Sequence, residues 1–169
     1  MKSTLRKAAA SAVFSAIAAV TAFAHVTLET REARAGAPYK AVLRVPHGCD
    51  GSTTVKVRAQ IPEGVIAVKP MPKAGWQLET VKAKYAKTYP YYHGQQLSEG
   101  VTEVVWSGGK LADDNFDEFV FSSYLTPGLK PDTTLYFPVV QECEQGVSRW
   151  IDIPAQGEGG GHGPGSKTP

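Results

Sequence analysis

The sequence predicts an all-β domain, a single β-sandwich of about eight or nine strands. Three observations carry this. After the first two dozen residues no window holds a sustained 3.6-residue apolar period. Short runs that alternate apolar and polar side chains recur instead, as in Thr54-Val55-Lys56-Val57-Arg58-Ala59-Gln60-Ile61. Between these runs fall Gly, Pro, Asn and Asp clusters that punctuate the chain at strand-length intervals.

Residues 1–24 stand apart from that pattern. Lys2, Arg6 and Lys7 precede an apolar run from Ala8 to Ala22, interrupted only by Ser11, Ser15 and Thr21, and the run closes on Ala22-Phe23-Ala24. This is the order of a secretory signal, and the apolar part is too short and too rich in small residues for a good membrane span. Cleavage after Ala24 makes His25 the first residue of an exported, periplasmic chain of 145 residues, with no later membrane span. That length suffices for one domain with a core, expected over 25–154. Losing three basic residues takes the net charge from +2 to −1, which gives no footprint for nucleic acid.

The strands follow in order. Val26-Thr27-Leu28-Glu29 alternates briefly, Ala35-Gly36-Ala37-Pro38 turns, and Tyr39 to Val45 forms a second strand that Pro46 ends. Pro46-His47-Gly48-Cys49-Asp50-Gly51-Ser52 reads as a polar loop before the strand Thr53 to Ile61. Pro62-Glu63-Gly64 leads into Val65 to Val68, and the prolines Pro70 and Pro72 forbid a helix before the strand Trp76 to Val81. Lys82 to Gly100, with four tyrosines, His93 and Pro90, is expected to be an excursion or a ragged strand pair. Val101 to Trp106 is a strand with Ser107-Gly108-Gly109 as its turn, Phe116 to Leu125 an aromatic-rich strand, Thr133 to Gln141 a long strand, and Val147 to Ile153 the last. The tail 155–169 carries six glycines and is expected to be disordered.

Cys49 and Cys143 are the whole cysteine complement. In an oxidising compartment an even pair far apart in sequence most simply forms one disulfide; a thiolate metal site is the alternative. Catalytic signatures are missing: there is no Gly-x-Ser-x-Gly, His-Glu-x-x-His or phosphate-cradling loop, and no enzyme is expected.

Metal chemistry is what the residues do allow. An N-terminal histidine offers its α-amine and Nδ1 together as a chelate, and the amine loses its proton to a metal easily near neutral pH. Planar nitrogen donors suit Cu(II). The plain alternative is that a histidine happens to follow the cleavage box. His47, beside Cys49, is the natural further donor, with an idle loop histidine as the alternative. A Cys49–Cys143 disulfide would tie its loop to Glu142-Cys143-Glu144, and Trp150 on the next strand could reach the same end, although a core aromatic is the commoner role. His93 sits among tyrosines and reads as packing or surface, and His162 lies in the glycine tail, where ordering costs entropy. Met71 alone remains after cleavage, against a thioether Cu(I) site. Asp113, Asp114 and Asp117 lack a calcium-loop pattern and read as a solvated turn.

The succession of signal, His25-Val26-Thr27, Arg44-Val45-Pro46, Thr53 to Val57, Ile61-Pro62-Glu63-Gly64-Val65, Trp76, Val105-Trp106-Ser107-Gly108-Gly109, Phe137 to Gln141 and Trp150 resembles the YcnI-like copper-binding domain family. The resemblance implies a cupredoxin-like or immunoglobulin-like sandwich that binds Cu(II) through its mature N-terminal histidine, here His25, beside a tryptophan, here Trp150. It implies a part in copper trafficking or homeostasis, with another periplasmic copper carrier as partner. The chain departs from the Gram-positive pattern, which has a glutamate after the Val-Pro pair, no cysteine pair and a C-terminal membrane helix. Here His47-Gly48-Cys49 stands in that place, so His47 is expected to join the amine and His25 Nδ1, with Asp50 or Glu142 as the fallback. A copper carrier is the leading expectation; a histidine-brace redox enzyme and a structural sandwich with incidental metal are the rivals.

Overall fold

The computed structural model describes residues 25–153. Residues 1–24, expected to be a secretory signal, and the tail 155–169, expected to be disordered, lie outside the described residues. Nine strands run in the order β1 (Thr27–Leu28), β2 (Pro38–Val45), β3 (Thr54–Gln60), β4 (Val65–Pro70), β5 (Gln77–Pro90), β6 (Gln96–Leu111), β7 (Asp117–Leu125), β8 (Val139–Cys143) and β9 (Val147–Trp150). They form two antiparallel sheets, one of order β1-β2-β7-β4 and one of order β5-β6-β3-β8-β9. This is the β-sandwich expected from alternation and turn signals.

Alternation explains what the sheets bury. On β2 the residues Tyr39, Ala41, Leu43 and Val45 point inward, and their partners on β7 include Phe119, Phe121 and Ser123. Val57, Ala59, Val104, Trp106 and Val139 answer from the other sheet and complete the core. Trp106 and Phe119 are fully buried and meet edge to face at 5.4 Å between ring centres.

Of the two alternatives for Lys82 to Gly100, the structure has the ragged strand pair: the outer half of a β5–β6 hairpin, bulged where the register shifts. It corrects the sequence reading in three other places. Ser107-Gly108-Gly109 is not a turn: it lies inside β6, with Gly108 in the left-handed region at φ 74°. Two glycines there bend a continuous strand, and the indole of Trp76 lies so close over Gly109 that a Cβ would overlap it. Residues 133–138 are not strand, since β8 begins only at Val139, just after Pro138, which cannot donate to a ladder. The alternation of β3 is broken by a bulge between Thr54 and Lys56 in both of its pairings. That bulge turns Thr54 inward, where it is wholly buried.

Candidate metal centre

The sandwich has two closing edges, and His25 and Trp150 meet along one of them. β1 is the last strand of one sheet and β9 the last strand of the other. His25 precedes β1 and Trp150 ends β9, and their rings meet with centres 4.8 Å apart at 50°. His25 is exposed and Trp150 half-buried. Trp150 faces inward because it pairs with Val139, itself an inward residue. Its Nε1 is buried and has no hydrogen-bond partner among the described residues, a donor left over beside His25. A cleft of about 230 Å³ separates the two edges, walled by Val26, Leu28, Leu43, Phe137, Trp150 and Ile151 among others.

His47 is held by a different route. Thr27 pairs with Arg44, so counting two residues outward along both strands leads to His25 and to Pro46, the neighbour of His47. The backbone of His47 is anchored from the other sheet: Gln141 Nε2 donates to its carbonyl at 2.7 Å and to Thr54 Oγ1 at 2.7 Å. Gln141 is 1 % exposed, so both amide protons of a buried side chain are satisfied at once. Thr54 Oγ1 in turn lies 3.5 Å from Cys143 Sγ.

The disulfide Cys49–Cys143 is formed, and it ties the His47 loop to β8 as expected from the cysteine pair. Between Cys49 and Ser52 the chain makes a two-residue hairpin, with backbone bonds of 2.9 Å in both directions. Asp50 and Gly51 both have positive φ, 48° and 87°, the geometry of a type I′ turn, and Asp-Gly is the dipeptide that this turn selects. Trp150 does not stand at the disulfide end itself. It sits level with Val139, four residues along β8 from Cys143, roughly 13 Å at strand rise. His47, held at Gln141, lies between the two.

The carboxylates go elsewhere. Glu142 points to the outer face of its sheet and pairs with Lys56 at 3.2 Å and Arg58 at 3.1 Å. Asp50 sits exposed on the I′ turn. Asp113 is the acid that comes to His47, 3.9 Å from Nδ1, while Asp117 is taken by Lys73 at 2.6 Å. His93 sits by the hairpin end at φ 56°, among Tyr91 and Tyr92, far along the chain from β1 and β9. His162 lies outside the described residues.

Among the described residues no three His, Cys, Asp or Glu side chains converge to hold a metal. Side chains alone therefore make no cage here, and a metal at this edge needs backbone nitrogen. The residues would fit that requirement in one way, if the chain is cut before His25: the exposed His25 ring with the α-amine that cleavage would free, beside the Trp150 ring. Sequence reasoning missed Gln141 and Thr54, and read Asp113 only as part of a solvated acidic turn. The signals were a Gln in one apolar strand and a Thr at the start of another, which composition alone does not single out.

A family model described as "Domain of unknown function (DUF1775)" matches residues 25–167, so the match begins at His25. A search of curated proteins found no match. Among solved structures, the chain is similar to an uncharacterized protein from Nocardia farcinica whose crystal structure reveals an immunoglobulin-like fold. The TM-score is 0.57 at 21% identity, over 80% of this chain and 90% of that one. The sandwich is thus immunoglobulin-like in fold.

Proposed function

We propose, from the premise that the chain belongs to the DUF1775 domain family, that it is an exported Cu(II)-binding protein which holds one copper ion at His25 and hands it on. The observation that carries this is the contact between the His25 and Trp150 rings, directly behind the Ala22-Phe23-Ala24 cleavage box. Cutting there turns an ordinary surface histidine into a two-nitrogen chelate of α-amine and Nδ1. His47, whose carbonyl is held by Gln141 two residues along β8 from Val139, the partner of Trp150, is the third nitrogen. Three nitrogens without a thioether favour Cu(II) over Cu(I).

The start of the family match at His25 supports processing at that point. An ion carried at an exposed edge, next to a half-buried indole, is open to a partner on one side and shielded on the other. That arrangement suits storage and transfer to another periplasmic copper carrier.

The indole supplies the test. Cu(II) added to protein that starts at His25 is expected to quench Trp150 emission with an endpoint at one equivalent, and the Trp150→Phe protein should lose that quenching while keeping the copper. A titration with no endpoint at one equivalent, or the same quenching in Trp150→Phe, counts against the site.

A further inference from the structure

The geometry points to Asp113 and the Gly48 carbonyl as positioning groups that hold the His47 ring with its proton on Nδ1, leaving the Nε2 lone pair for the metal; this rests on the copper reading above. His47 Nδ1 lies 2.6 Å from the Gly48 carbonyl oxygen. A carbonyl only accepts, so the close approach requires Nδ1 to carry the hydrogen. Asp113 Oδ1, a second acceptor, stands 3.9 Å from the same nitrogen. Both partners on that side favour the Nδ1–H tautomer, and a neutral imidazole then has its basic nitrogen at Nε2. Ligating histidines are commonly oriented in this way, by a carbonyl or carboxylate on the nitrogen that does not touch the metal.

The backbone beneath the ring is held as well. Gln141 grips the His47 carbonyl, and the disulfide fixes Cys49 two residues on. Gly48 between them has no room for a side chain, since a Cβ would stand 2.0 Å from the Ser52 carbonyl oxygen and 3.0 Å from Asp113 Oδ1. The missing Cβ is what lets the Asp113 carboxylate close over the loop and face the ring.

Nitrogen-15 NMR of the metal-free protein starting at His25, with its disulfide intact, reads the tautomer directly. His47 is expected as Nδ1–H, and Asp113→Ala should raise the Nε2–H population. Asp113→Ala should also weaken Cu(II) binding by roughly 10-fold or more. Asp113→Asn, which keeps an acceptor oxygen, should recover most of the loss, and in a His47→Ala background Asp113→Ala should cost nothing further. A His47 ring that is mainly Nε2–H in the parent protein overturns the inference, as does an Asp113→Ala protein with unchanged tautomer and affinity. His25→Ala reports on the copper reading separately: unchanged binding there defeats that reading, and the metal half of this inference with it.

Discussion

His25 and Trp150 are joined by no strand pairing, and only the closing of the sandwich edge brings their rings to 4.8 Å. His25 was legible as a candidate because its proposed chemistry is local: a cleavage box and the next residue are all that the proposed chelate needs. Trp150 was legible as an aromatic on a strand, but its place beside His25 depends on the β8–β9 register, which no local pattern states. Gln141 was not legible at all, and Asp113 only as a residue of an acidic turn, because each meets His47 from a different part of the chain. At this scale His25→Ala in the processed protein is expected to lower Cu(II) affinity by at least about 100-fold, read by competition with a chelator of known strength. Tyr89 offers a test independent of copper. Burial, together with its bond to Glu63 at 2.5 Å and the charge there, pushes its pKa up to about 12. The fold keeps this proton where the unfolded chain, with an ordinary tyrosine value near 10, has lost it. Its stabilisation is whole below about pH 10 and fades as the pH climbs to about 12, so Tyr89→Phe should flatten that part of the stability-against-pH curve relative to the parent protein.

At the scale of the element, alternation predicted the strands well and their interruptions poorly. β2 and β7 are strands as read and pair over eight consecutive positions. The bulges at Thr54 and at Gly108 look in sequence like a strand start and a turn, since glycine permits both and only the neighbouring strands decide. The β3 bulge matters for the site because it delivers Thr54 to Gln141 and so to the support of His47. Gly109 is held to glycine by the Trp76 indole, whose Cε2 lies 2.0 Å from where a Cβ would stand. Gly109→Ala is expected to lower unfolding free energy by about 2 kcal/mol in denaturant titration, the cost of overpacking a fitted contact. An unchanged midpoint would mean that the indole moves aside freely.

For the whole molecule, the two sheets bring His25 and Trp150 together at one edge, and one disulfide ties the His47 loop to β8. Fold class was readable from periodicity alone, and the cysteine pair followed from compartment and count. The choice of edge was not, because it depends on which strands end each sheet. Cys49 and Cys143 lie 94 residues apart in sequence, so their bond removes a large loop-closure entropy from the unfolded chain. Replacing both with alanine is expected to cost about 4 kcal/mol of stability, measured by denaturant unfolding with the disulfide-bonded protein as reference. A loss near zero would show that the crosslink constrains little beyond what packing already fixes.

The central claim is that the working ligand set includes the α-amine of His25, and one residue decides it. Equilibrium Cu(II) titration should be run on two proteins that differ only in a single alanine placed before His25. The protein that begins at His25 is predicted to take one equivalent tightly, and the extended one to lose that site, because its amine has become an amide. Equal affinity in the two would contradict the account.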